Sequence, residues 1–311
     1  MSADDKNSPD QMTLFPGVVI VFHAVWRGRL LIGIVTLITT LVAVAIALFS
    51  ADVFRAEALL VPNEDDTGDG IAGLLGQYGG LAGLAGVSLP SDGTEKKTLG
   101  IEILRSREFI TSFIERHDIL VELMASKGWD SDTNSLILDD SDYDAAKSEW
   151  IRKVRPPRKI KPSLQEAHEE FEDIYSIRED ASSGYVRVSI EHHSPIIAKQ
   201  WVDWIVEDLN KTVMERDVVE AEQAIAYLTK QIQATSLAEM REVFFRLIEE
   251  QYKIIMLAKM TTGYVFKTVD PAVAPEMKER PKRVLIIALG VLSGILLGLL
   301  ILFGTWVWRG A

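Results

Sequence analysis

Two long stretches of the chain are strongly apolar and carry no charged side chain. Leu30–Phe49 runs for 20 residues and Val284–Trp308 for 25. As helices they would reach about 30 and 37 Å, enough to cross a hydrocarbon core of about 30 Å. A helix buried in a soluble protein is seldom apolar all round for so long, so each run is expected to be a membrane helix. For the first run the alternative is a cleaved signal peptide. Its apolar core would be about 7–15 residues, and this run is longer and begins late in the chain.

Between the two runs the hydrophobic period alternates between sheet and helix. Val53–Pro62 (VFRAEALLVP) reads as a strand directly after the first run. Val186, Val188 and Ile190 alternate with Arg187, Ser189 and Glu191, the mark of a half-buried strand. Across a turn at Ser182–Gly184 this strand faces Tyr175–Ile177, and Tyr264–Val269 forms a returning strand. Leu99–Leu123 has helical spacing, with Ile103, Ile110, Phe113 and Ile114 on one side. Ser163 and Glu166 make a capping box for a helix carrying Leu164, Ala167, Phe171 and Ile174.

The longest soluble element follows. Ser194 suits an N-cap and Pro195 the first helical position. Ile197, Trp201, Trp204, Ile205, Leu209 and Val213 then recur at helical spacing, continued by Ile225, Leu228 and Ile232. Unbroken to Gln233, this helix would be about 58 Å long. Ser236 with Glu239 predicts a second capping box and a helix to about residue 259, with Met240, Phe244, Leu247, Ile248, Gln251 and Ile255 on one face. Helices of this length outreach a compact domain and need partner helices, for which self-association is the economical source. Trp201, Trp204, Ile205 and Leu209 are accordingly core or interface positions. Pro271, Pro275 and Pro281 then prevent helix until the second apolar run, forming either a stiff extended strut or an ordinary linker.

The remaining segments are defined by composition. Residues 1–13 are polar and expected to be disordered. Residues 68–93 are glycine-rich with interspersed leucines, either a loop or a small-residue surface. Residues 128–147 are acidic and turn-rich, and residues 152–162 are basic and punctuated by proline.

Charge sets orientation and excludes partners. Arg27, Arg29 and Arg309 place both chain ends in the cytoplasm by the positive-inside tendency, while Lys278, Arg280, Lys282 and Arg283 oppose it. The first helix usually dominates, so residues 50–283 are expected in the periplasm. Trp26, Trp306 and Trp308 fit an aromatic belt on one membrane face. Residues 50–283 hold 29 Lys and Arg against 42 Asp and Glu, a net −13, which repels nucleic acid. The chain has no cysteine, so thiolate chemistry and disulfides are excluded.

No Walker A, G-x-S-x-G or H-E-x-x-H pattern is present. His192 and His193 are adjacent near a strand end, where side chains point to opposite faces, so they are expected as surface or interface residues rather than ligands of one metal. Asp140, Asp142 and Asp144 form D-x-D-x-D, but in calcium-loop register position six is Ala145 and position twelve Ile151, so a solvated acidic loop is favoured. Arg152, Lys153, Arg155 and Arg158, with Lys159 and Lys161, are a candidate anion contact; the alternative is a solvated loop or pairing with an acidic neighbour. Gly290, Gly294 and Gly298 share one face of the second membrane helix and suit close packing against the first helix, another protomer or a partner. No catalytic residue, cofactor or metal site is assigned.

Taken together these segments resemble the Wzz-type chain-length determinants, or polysaccharide co-polymerases. The similarity is carried by FRAEALLVP, by SIEHHSPIIAKQWVDWIVEDLN at 189–210, by LIEEQYKIIMLAK at 247–259, and by YVFKTVDPAVAPEMKERPKRVLIIALGVLSGILLG at 264–298. The resemblance implies an α+β (α/β) periplasmic domain with a small membrane-proximal sheet and long extended helices, between two transmembrane helices. It implies ring-like homo-oligomers in the bacterial inner membrane and no catalysis. The implied role is to set the modal length of O-antigen or a related glycan made by a Wzy-type polymerase on an undecaprenyl-linked carrier. Kinase-bearing relatives need sequence after the second helix; only Arg309, Gly310 and Ala311 follow here, so the kinase-free branch is expected.

The expected organisation is therefore a cytoplasmic tail at 1–29, membrane helices at 30–49 and 284–308, an ectodomain at 50–283 and a cytoplasmic end at 309–311. The rival from another class is a periplasm-facing enzyme acting on lipid-linked glycan through carboxylates that spacing does not reveal. A membrane-anchored sensor would need an output domain beyond the second helix.

Overall fold

The computed structural model describes residues 16–63 and 92–310, with side chains placed at 29–63 and 96–305. The polar N-terminal tail, nearly all of the glycine-rich segment and the belt tryptophan side chains lie outside the described residues. The chain divides into two units, one holding the apolar helices at its ends and one spanning Asp52–Glu279.

In the first unit, α1 (Pro16–Phe49) and the last helix, α8 (Arg283–Gly310), pack along each other. Within them Arg29–Phe49 and Arg283–Thr305 have mean hydropathies of 2.7 and 2.9 and suffice in length and composition to cross a membrane. Most of their apolar side chains face outward, as with Leu30, Phe49 and Val284, which fits a hydrocarbon surrounding better than water. The helix begins at Pro16 rather than at residue 30. Arg27 and Arg29 end the apolar run but not the helix, since nothing between them and Pro16 breaks it, and proline suits a first helical position.

The second unit is built on a four-stranded antiparallel sheet of order β6-β7-β1-β8. Its strands are β1 (Phe54–Pro62), β6 (Tyr175–Glu179), β7 (Val186–His192) and β8 (Phe266–Asp270). The alternation seen in the sequence decides the register. Ala56, Ala58 and Leu60 pair with Ile190, Val188 and Val186, and all six are buried on one face. The other face carries Arg55, Glu57, Arg187 and Ser189, joined by Arg55–Ser189 and Arg187–Glu57 hydrogen bonds of 2.9 and 2.6 Å.

Helices cover the apolar face. The stretch 99–123, expected as one helix, is three: α2 (Asp92–Arg105), α3 (Arg107–Arg116) and α4 (Leu120–Met124). Ser106 causes the first break by capping α3, its hydroxyl accepting from the Phe109 N–H at 3.2 Å. The apolar stripe runs straight through this break and so conceals it. The segment read as acidic and turn-rich forms two hairpins, β2 (Ser126–Asp130) with β3 (Ser135–Leu138), and β4 (Tyr143–Asp144) with β5 (Glu149–Trp150). Helix α5 (Leu164–Ile174) starts on the full Ser163/Glu166 capping box.

Helix α6 (Pro195–Ala234) has Ser194 as N-cap and Pro195 in its first turn, and spans about 60 Å. Its first half supplies Ala198, Trp201, Val202, Ile205 and Leu209 to the core over β1 and β7. After a three-residue connection, α7 (Ala238–Met260) packs back along it. The Ser236 box does not form. The N-cap is Leu237, with no side-chain cap, because the helix starts one residue too late for the Ser236 hydroxyl to take that role. Gly263, at φ +76°, makes the turn into β8, where a Cβ would lie 2.7 Å from the Phe266 carbonyl.

Candidate functional site

Four features bear on function, and each arises from a local sequence pattern. The first is the seam between α1 and α8. The glycines at 290, 294 and 298 recur every four residues, which stacks them on one helix face. A Cβ on Gly290 would strike the Ala43 side chain. On Gly294 it would strike the Thr39 hydroxyl and lie 2.7 Å from Thr36 Cα, and on Gly298 it would lie 3.0 Å from Ile32 Cα. Only glycine permits this approach of backbones. Of the neighbours left open by the sequence, the structure supplies the first helix of the same chain. By contrast, a Cβ on Gly33 or Gly304 would meet nothing within 4 Å.

The second feature is the α6–α7 pair. Trp201, Ile205 and Leu209 are fully buried in the core, while Trp204 is partly buried and stacks on His117 with ring centroids 4.3 Å apart. Beyond the core the pair leaves large apolar side chains exposed. Tyr227, Met240, Val243, Phe245, Tyr252 and Met256 are all at least 42% accessible. Phe245, Tyr252 and Met256 fall at spacings of seven and four, one face of α7. Exposed apolar side chains gathered on one helix face in this way are candidates for an interaction surface.

Polar side chains hold this helix pair on the sheet. Asn210 Oδ1 accepts from the Val265 and Phe266 N–H groups at 2.8 and 3.0 Å, and its Nδ2 donates to the Phe266 and Val206 carbonyls. Tyr264 donates its hydroxyl to Asp217 at 2.6 Å. Asp208, almost fully buried, accepts from Arg116 at 2.9 Å and His117 at 3.0 Å, tying the end of α3 to α6. Little in the sequence pointed to these roles beyond an amide and two carboxylates set among the apolar positions of α6.

The third feature is the basic loop. Arg152 does not serve as an external anion contact. Its guanidinium is buried and donates to the carbonyls of Ile160 and Lys159 and to Glu166, each at 2.7 Å. The loop closes on Arg152, so its hydrogen-bonding capacity is directed inward. Glu166 is correspondingly held below the usual carboxylate range, because the Arg152 bond and the capping contacts together outweigh its burial. Lys153, Arg155 and Arg158 are exposed, and Arg158 approaches Glu166 at 4.0 Å. Of the D-x-D-x-D aspartates, Asp144 accepts from the Ala146 and Lys147 N–H groups in the β4–β5 turn, and the preceding Asp139 accepts from the Ser141 N–H in the link between the two hairpins; no group of three metal-ligating side chains occurs among the described residues.

The fourth feature is His192. It is a core residue rather than a surface one. Nδ1 accepts from the Ser194 N–H at 3.0 Å, so the proton sits on Nε2, which donates to the Glu122 carbonyl at 3.1 Å. His193 bonds instead to the Asp52 carbonyl. Burial pushes the His192 pKa down to about 4, against the two backbone bonds, which raise it. A depressed histidine pKa means the unfolded chain binds the extra proton first. The neutral ring therefore stabilises the fold fully above about pH 6.5, and that contribution is lost as pH falls toward 4, amounting to about 3 kcal/mol. In urea titrations of the full chain at pH 7.5 and 4.5, His192→Gln should show a weaker pH dependence than the wild type. Equal slopes would refute the assignment.

Pro271, Pro275 and Pro281 lie in a stretch, residues 271–282, that contains no helix, and Ala272 between them is packed into the core.

The fold and these features define a class: a mixed α/β unit with a long helical hairpin, bracketed in sequence by two helices fit to cross a membrane. Sequence matches narrow the class. Residues 18–117 match the Wzz model, chain length determinant protein, and residues 220–305 match GNVR, a G-rich domain. Together they cover most of both end helices, β1 and much of the helical hairpin, so the chain carries a region similar to the Wzz chain length determinants followed by one similar to GNVR. No curated protein sequence matches it. Among solved structures it is similar to a full-length bacterial polysaccharide co-polymerase, at 11% identity and a TM-score of 0.39, covering 93% of this chain and 97% of that one. It is also similar to a fragment of WzzB, a polysaccharide co-polymerase from Salmonella Typhimurium, at 13% identity and a TM-score of 0.31, covering 74% and 100%. Two anchor-grade helices in such a chain fit an inner-membrane protein.

Proposed function

We propose that this protein is a non-enzymatic regulator of modal chain length for a surface polysaccharide such as O-antigen. In this role it acts as a homo-oligomeric scaffold beside a Wzy-type polymerase that works on undecaprenyl-linked glycan. The carrying observation is the match of residues 18–117 to the chain length determinant model. The apolar strip on α7 supports self-association, since water-exposed apolar area at about 25 cal/mol per Å² favours burial against another copy. The α1–α8 seam holds the two anchors as one body in the bilayer. Residues 1–29 and 309–311 face the cytoplasm, residues 50–283 face the periplasm, and Pro271, Pro275 and Pro281 stiffen the return to the second anchor.

Deleting the gene and separating the surface polysaccharide by size is the direct test. The expected result is a ladder that persists but loses its preferred length. An unchanged ladder refutes the role, and complete loss of glycan would favour an enzyme of polymerisation or export. A phosphatase fusion after Ala181 should be active, and an inserted but inactive fusion would reverse the topology.

A further inference from the structure

One polar cleft is not used by anything described so far. It measures about 170 Å³ and is lined by Arg105 at the end of α2, Ile110 of α3, Glu172 of α5, and Tyr175 and Ile177 of β6. The Tyr175 hydroxyl is buried and has no hydrogen-bond partner. Its position is fixed, because its backbone pairs with Ile190, its N–H bonds to the Phe171 carbonyl, and its ring packs on Phe171 at 5.4 Å. A buried hydroxyl without a partner carries an uncompensated desolvation cost and calls for an explanation, such as a ligand that completes it. Arg105 lies close enough to act electrostatically on this hydroxyl.

We propose that this cleft is a subsite for a single neutral sugar ring of the glycan, which rests on the chain-length reading above. Its volume is below the roughly 300 Å³ of a drug-sized pocket and suits one ring. Ile177, partly exposed and with the buried Ile110 beside it, offers apolar surface to the C–H face of a pyranose. Tyr175, Arg105 and Glu172 offer both donors and acceptors, as a ring bearing several hydroxyls requires. Arg105 and Glu172 balance in charge, which disfavours a strongly anionic or cationic ligand. Both are about half exposed at the rim, and each also has a neighbour on its own helix, Glu102 at 3.4 Å and His168 at 3.7 Å. They can therefore turn toward a ligand without being stranded.

The test uses the full chain in detergent and, as probe, the host's own surface glycan released from its lipid by mild acid and fractionated by size. Saturation-transfer NMR should show binding to the wild type, weakened about tenfold by Tyr175→Phe and by Glu172→Gln. Tyr175→Phe should unfold at the same or a higher temperature, since it deletes only an unpaired hydroxyl. Glu172→Gln, at an exposed position, carries the test if the first variant folds poorly. Absence of wild-type binding, or wild-type affinity in both variants, overturns the subsite. Either result, with modal length still lost on gene deletion, leaves length control standing; an unchanged ladder on deletion removes the reading beneath it.

Discussion

Trp201→Ala should lower the stability of the Asp52–Glu279 unit by about 3–5 kcal/mol, the range for a large aromatic removed from a closed core. Trp201 is among the largest fully buried side chains, and its ring meets Phe171 at 6.1 Å and His192 at 4.9 Å. A domain holds only about 5–15 kcal/mol in total, so this one change should bring the unit near its threshold. The observable is the urea midpoint of the full chain in detergent, together with proteolysis at the α6–α7 connection. Trp201→Phe is the informative companion. The indole N–H lies near enough to Glu122 to offset part of the burial that raises that carboxyl, yet makes no hydrogen bond of full geometry. Retaining an aromatic ring should therefore recover most of the loss, and equal destabilisation by both variants would contradict packing as the cause.

Gly294→Leu is the second large effect. A leucine there meets the Thr39 side chain and the Thr36 backbone together, and the α1 backbone has no rotamer by which to yield. The expected cost is at or above the top of the about 1–3 kcal/mol typical of overpacking, so the two helices should part. The protein should still resist alkaline extraction from membranes, while its thermal transition in detergent falls and the modal glycan band disappears. Gly304→Leu supplies the control, because its Cβ would point into open space. A normal ladder with Gly294→Leu, or an equal loss with Gly304→Leu, would remove the seam from the mechanism.

Much of the architecture was legible because it depends on short-range rules. Charge-free runs mark the end helices, alternation at 186–191 marks a half-buried strand, and Ser163 with Glu166 and Ser194 with Pro195 mark helix starts. The glycine spacing was legible as a contact face, but its partner was not, since spacing on one helix says nothing about which helix answers it. The misread positions share a different cause. Arg152 looked available because five other basic residues surround it, but its partners are carbonyls brought to it by loop closure. His192 looked like a surface residue because it ends a strand, yet α6 and α4 cover it. Tyr175 sat in a strand that the turn at Ser182–Gly184 had marked, but a hydroxyl left without a partner is a property of packing alone.

The root of the α/β unit has a mechanical meaning. β1 and β8 run in opposite directions side by side, so the chain enters and leaves at the same edge. There the Glu279 N–H bonds to the Val53 carbonyl at 2.8 Å, and Lys278 pairs with Asp52 at 2.9 Å. A pull that spreads the two chain ends thus loads this pair of strands like a zipper, one bond after another, instead of shearing all at once. Such a joint yields at small force when its ends separate, and it stays closed at no expense while they travel together.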